Sequence, residues 1–166
     1  MAQYNIIAEN ENYTIVSDYE AVYRTSEKYQ TEAQLEQELI KNLTEQGYEY
    51  LAIHTEKDLV DNLRVQLQRL NNYTFTDSEW ERFFNDVIAN PNEGIEAKTA
   101  KIQEDHIQVL KRDTGETKNI YLIDKRNIHN NYLQVINQYE EEQGNHDARY
   151  DVSILVNGLP LVHIEL

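Results

Sequence analysis

The chain has 166 residues, with thirty Asp and Glu against fifteen Lys and Arg, five glycines, two prolines and no cysteine. The lack of cysteine excludes a disulfide scaffold, a Cys-zinc site and a cysteine nucleophile. A net charge of −15 argues against autonomous binding of a polyphosphate surface, which a uniformly acidic protein repels.

Along the chain, Tyr4–Ile7 and Tyr13–Val16 have the β-branched and aromatic character of one or two short strands. A helix follows from Thr31, where Thr31 and Gln34 fit a capping box and Leu35, Leu39 and Leu43 recur every four residues. Gly47 stops it, and 48–53 reads as a strand. A second helix is predicted over about 56–70, with Leu59, Leu63, Leu67 and Leu70 on one face. A third starts at a capping box, Thr76 to Glu79, and aims Trp80, Phe83, Phe84 and Val87 at a core. After the turn at Asn90–Gly94 comes a short helix over 94–103. Residues 106–110, 119–123 and 132–136 are β-like, with a turn at Asp113-Thr114-Gly115 and a polar loop over 143–147. The fold class is mixed, α/β or α+β, with a helical insertion between a first strand pair and a later sheet. One domain suits the length, and such a chain buries roughly 70% of its unfolded surface.

The most informative stretch is Arg149 to Leu166. Asn157-Gly158 between two β-rich runs is a hairpin signal. Tyr150, Val152, Ile154 and Val156 are apolar at even positions, as are Val162, Ile164 and Leu166. Burying both sets together requires even to pair with even. A two-residue loop would pair Val156 with Leu159, so a three-residue connection with Gly158 left-handed is expected. In that register Asp151, Ser153, His163 and Glu165 share the other face. Asp151 and Glu165 then become cross-strand neighbours within about 5–8 Å. Two such carboxylates repel unless a cation sits between them, and hard oxygen ligands suit Mg²⁺. The spacing is equally that of a solvated polar face, and by itself it favours that plainer reading.

At these residues a resemblance emerges. Asp151, the phrase Asn157-Gly158-Leu159-Pro160-Leu161-Val162 and Glu165 resemble the nuclease signature of type I restriction endonuclease R subunits, a form of the PD-(D/E)XK core. Leu35 to Ile40, Gly47 to Glu49, Asn72 to Trp80 and Asn119 to Lys125 extend the similarity over most of the chain. The resemblance implies a PD-(D/E)XK fold and Mg²⁺-dependent hydrolysis of double-stranded DNA. It implies Asp151 and Glu165 as metal-binding carboxylates and Glu36 as the acid that often completes such sites. It further implies modification and specificity subunits as partners, and ATP acting through motor domains; no Gly-x-x-x-x-Gly-Lys-Ser/Thr occurs here. The family's lysine is due two residues after Glu165, and the sequence ends on Leu166. The expectation is a cut piece of a larger R subunit, incomplete at the C-terminus of the nuclease core and cleaving DNA poorly by itself.

Other features weigh less. His106, His129, His146 and His163 lack metal-ligand spacing, and His163 reads as an exposed residue or one behind the ligands. Residues 98–126 hold seven basic side chains against five acidic, and Lys111, Arg112, Lys125 and Arg126 are weak candidates for phosphate contact. Two rival classes stand beside the nuclease: an acidic DNA mimic, and a non-catalytic docking or assembly domain. A mimic needs carboxylates arrayed at phosphate spacing over a long face, whereas the hairpin concentrates them at one point. The N-terminus lacks a secretion signal and no apolar run approaches the ~18 residues of a membrane span. A cytoplasmic protein with no membrane partner is expected, in which the Asn-x-Thr triplets at Asn12, Asn42 and Asn72 carry no glycan.

Overall fold

The computed structural model describes residues 5–9, 14–17, 31–140 and 149–166. The chain divides into two compact units, residues 1–30 and 31–166. In the first, β1 (Asn5–Glu9) pairs antiparallel with β2 (Thr14–Ser17), the strand pair expected from the sequence. Tyr4 and Tyr13 of the predicted strands, and the predicted loop over 143–147 with His146, lie outside the described residues.

The second unit is built on four helices whose starts are local chemistry. At α1 (Glu32–Glu45) the Thr31 hydroxyl accepts from the Gln34 N–H while the Gln34 side chain accepts from the Thr31 N–H. This closes two of the donors a helix start leaves orphaned. The same box forms between Thr76 and Glu79 at α3 (Asp77–Phe83). At α2 (Glu56–Asn71) Thr55 caps the start, and Asn72 ends it in the left-handed region. α4 (Ile95–Gln103) follows the turn after a π-helical segment over 84–88. The mixed fold class read from the sequence is the one observed.

The main sheet has four strands in the order β3-β6-β7-β8. β3 (Glu49–Tyr50) runs parallel to β6 (Leu133–Glu140), while β7 (Arg149–Val156) and β8 (Leu159–Ile164) follow antiparallel. α1 covers one face, where Leu39, Ile40 and Leu43 pack on Val135, Val152, Ile154 and Ile164. Leu59 and Ile53 meet Ile136, Leu155 and Tyr139 in a second cluster. A separate hairpin, β4 (Ile107–Lys111) and β5 (Thr117–Tyr121), encloses the largest core with α2 and α3: Leu63, Leu67, Phe75, Trp80, Phe83, Leu110, Ile120, Leu122 and Leu159. Trp80 and Phe83 are core residues, as their helical spacing indicated.

Four expectations need correction. The strand over 48–53 shrinks to two residues, and it joins the later sheet, so the helices are not a clean insertion. On α1 the buried stripe is Glu36, Leu39, Ile40 and Leu43, and Leu35 is 37% exposed, because the helix turns one position from the simple four-residue repeat. The β7–β8 connection is a two-residue turn, with Asn157 and Gly158 at φ 52° and 82° joining Val156 to Leu159. A bulge then adds Leu161 to β8, so that Ile154 faces Val162 and Val152 faces Ile164. The even-with-even register holds, but an extra strand residue rather than a longer loop produces it. Finally, Tyr150 does not share a side with Val152: its ring stacks on His163 at 4.0 Å. On β6 the alternation also breaks, since Ile136 and Tyr139 pack in one cluster although three residues apart, and Gln138 between them has φ 51°.

The hairpin is tied to α3 through Asp113. Its carboxylate accepts from the hydroxyls of Thr76 (2.5 Å) and Ser78 (2.7 Å) and from the Arg82 guanidinium (2.7 Å). These donors, Thr76 first, hold its pKa down at about 2 against an ordinary 3.8. Glu79, 2% exposed, accepts from the N–H groups of Asp113 and Thr76 and from the Tyr73 hydroxyl. Burial pushes its carboxyl up, yet these bonds outweigh it and the net shift is downward. A carboxylate with a lowered folded pKa stabilises the fold above its unfolded value and loses that contribution on protonation. The gap in urea midpoint between the wild type and Asp113→Asn should therefore be full at neutral pH and close as pH falls from 3.8 toward about 2. A gap unchanged down to about pH 3 would contradict the bonding described.

Candidate active site

The end of the β7–β8 hairpin carries the two carboxylates singled out by spacing. With Val152 opposite Ile164, the register carried one residue further sets Asp151 across from Glu165. Asp151 is half-buried, and its Oδ2 accepts the Leu166 N–H at 2.8 Å, which keeps the chain beyond β8 against β7. Glu165 is exposed. One turn of strand away, Ser153 Oγ and His163 Nδ1 are 2.8 Å apart, a direct cross-strand contact in the same register. His163 thus belongs to a Tyr150–His163–Ser153 group beside the carboxylates.

Glu36 stands elsewhere than a solvated helix surface. It is 8% exposed, on the side of α1 that faces the sheet. Asn137 Nδ2 donates to its Oε1, and Gln138 Nε2 donates to its Oε2 at 3.3 Å. The Tyr50 hydroxyl donates to Asn137 Oδ1 at 2.8 Å. With Asn137 opposite Val152 and Tyr139 opposite Tyr150, Gln138 lies across from Asp151. Glu36, Gln138, Asp151 and Glu165 therefore come from α1, β6, β7 and the residue after β8, at one end of the sheet. The groove at Glu36, about 480 Å³, is lined by Gln37, Lys41, Thr44, Tyr50, Asn137 and Gln138.

Among the described residues no group of three or more His, Cys, Asp and Glu side chains is close enough to hold a metal ion. The fit to a divalent cation rests on donor chemistry: two register-opposed carboxylates suit an octahedral Mg²⁺ ion, which binds through one or two carboxylates and keeps several waters. Sequence reasoning missed Tyr50, Asn137 and Gln138. A signal was present, since amide side chains in a strand between two others are unusual, but the polar run Asn137-Gln138 reads locally as the strand's end. Gln134 is a second instance: it is 0% exposed, donating to Glu49 at 3.1 Å and accepting from Asn62 at 2.9 Å.

The basic candidates divide. The Arg112 guanidinium donates to the Tyr73 hydroxyl and lies 2.6 Å from Glu116, and these contacts, Tyr73 first, raise its pKa. Lys125 donates to the Gln103 carbonyl. Lys111 and Arg126 are exposed.

The hairpin's Asn157-Gly158 turn also has an architectural part. Asn157, 1% exposed, donates to the Leu122 carbonyl and to Asn131 and accepts the Tyr132 N–H at 2.8 Å. It thereby fastens the turn to the segment entering β6.

Residues 29–166 match the family described as type I restriction enzyme R protein N terminus. The chain is 47% identical over 161 residues to the type I restriction enzyme EcoprrI endonuclease subunit of Escherichia coli, covering 96% of this chain and 51% of that protein. It is 38% identical over 143 residues to the SsaAORF53P endonuclease subunit of Staphylococcus saprophyticus, and 36% identical over 145 residues to a Staphylococcus aureus endonuclease subunit. Each staphylococcal match covers 83% of this chain and 15% of the relative. The chain thus spans about half the length of the Escherichia coli relative.

Proposed function

The chain belongs to the type I restriction enzyme R protein N-terminus family, and from that membership we propose that it is the DNA-cleavage module of an R subunit, hydrolysing phosphodiester bonds of double-stranded DNA with Mg²⁺. The observation that carries this reading is the hairpin register, in which Val152 faces Ile164, so that continuing it by one residue opposes Asp151 to Glu165 at the end of the matched segment. Those two residues would hold the ion, and Glu36 on α1 is the acid that the resemblance adds to them. A bound Mg²⁺ ion supplies a more acidic water and charge neutralisation at the phosphate. The protein's own work is to fix the carboxylates: Asp151 on β7, buttressed by the Leu166 N–H, and Glu36 by two amides. Of the phosphate-contact candidates Lys111, Arg112, Lys125 and Arg126, the exposed Lys111 and Arg126 suit the role better than the two whose head groups already have partners.

In the same reading the chain works in the cytoplasm with modification and specificity subunits and with motor domains that use ATP. Those partners would supply the basic track that a chain of net charge −15 lacks. The test is a Mn²⁺ titration followed by electron paramagnetic resonance on the full-length polypeptide. A binding component that disappears in both Asp151→Ala and Glu165→Ala supports the metal site. Identical titrations for all three proteins would leave the docking-domain alternative in its place.

A further inference from the structure

We infer that Gln138, with Asn137, is a positioning residue for Glu36, and that the left-handed kink in β6 exists to let two successive amides grip one carboxylate. The inference rests on the nuclease reading above and goes beyond it. In a regular strand adjacent side chains point to opposite faces. Asn137 and Gln138 nevertheless both reach Glu36 on α1. The backbone feature that permits this is φ 51° at Gln138, in a region that L-residues other than Asn and Asp rarely occupy. Strain of this kind, kept inside a strand of the main sheet, points to a functional constraint.

The surroundings give the kink its purpose. The break falls opposite Asp151, so it lies on the row that joins Glu36 to the hairpin carboxylates. Tyr50 donates to Asn137 Oδ1, which turns the amide so that its Nδ2 faces Glu36. Among the described residues Glu36 has no ion pair, and the two amides each donate to one of its oxygens, beside a groove open to solvent. Groups behind metal ligands set ligand orientation, and their loss typically weakens metal binding or activity about 10–100-fold.

Glycine separates the backbone from the amide. Gln138→Gly keeps the positive φ without strain and removes the Gln138 half of the grip on Glu36. In the full-length polypeptide we expect Gln138→Gly to keep or raise Tm while the Asp151-dependent Mn²⁺ affinity falls about 10-fold or more. In a Glu36→Ala background the same change should have little further effect, since the two substitutions act on one contact. Gln138→Asn, which tolerates the kink but is one methylene shorter, should behave like glycine. Unchanged Mn²⁺ affinity in Gln138→Gly, with Asp151→Ala still abolishing binding, overturns the positioning role alone. Absence of any Asp151-dependent site in the wild type overturns it together with the reading on which it rests.

Discussion

Replacing Gly158 by alanine should cost about 2–5 kcal/mol of stability, the largest effect of any single methyl group in the hairpin. Two terms add. Gly158 has φ 82°, where an L-side chain costs about 1–2 kcal/mol. A Cβ there would also lie 2.6 Å from the Leu63 Cα and 3.1 Å from its nitrogen, both backbone atoms of α2 that cannot swing aside. Overpacking of this kind typically costs about 1–3 kcal/mol. For a domain of this size the sum lowers Tm by roughly 4–20 °C. Gly115→Ala is the matched control, because Gly115 has φ 85° with nothing within 4 Å of the added methyl. Equal losses in the two variants would show that the close approach to α2 carries no weight. Such a result would also undercut the view that the turn sets the distance between the hairpin and the helix.

The second large effect is on cleavage. On the proposed reading, Asp151→Ala in the full-length polypeptide assembled with the proposed partner subunits should reduce Mg²⁺-dependent DNA cleavage by about 10²–10³-fold or more, the scale expected when a preorganised electrostatic group is lost from a reacting centre. Fold stability should change much less. The Asp151 bond to the Leu166 N–H ties only the chain just beyond β8, and Asp151 belongs to none of the hydrophobic clusters built on Leu67, Ile120, Val135 and Val152. On the proposed reading, in which ATP is used by separate motor domains, ATP hydrolysis should continue. A variant that cuts at the wild-type rate would remove Asp151 from the centre. One that loses cutting and ATP hydrolysis together would point to failed assembly rather than failed chemistry.

Local chemistry in the chain determined the ends of the helices and the presence of the hairpin. Both capping boxes, Thr31 with Gln34 and Thr76 with Glu79, close within three residues and were legible without any knowledge of the fold. The Asn157-Gly158 turn likewise marked the hairpin, and the apolar even positions indicated that Val152 meets Ile164, and so which acidic residues could be opposed. Glu36 was recognisable only by resemblance. Its burial and its two amide partners depend on residues 101 and 102 positions away, and no local pattern encodes such a distance. Tertiary structure also decided the bulge at Leu161, since a tight turn and an in-phase register cannot coexist without one extra residue. The kink at Gln138 has the same kind of origin. It is a locally unfavourable conformation held by contacts from α1 and β3, and an unfavourable local state is written in the packing around it rather than in the residue that adopts it.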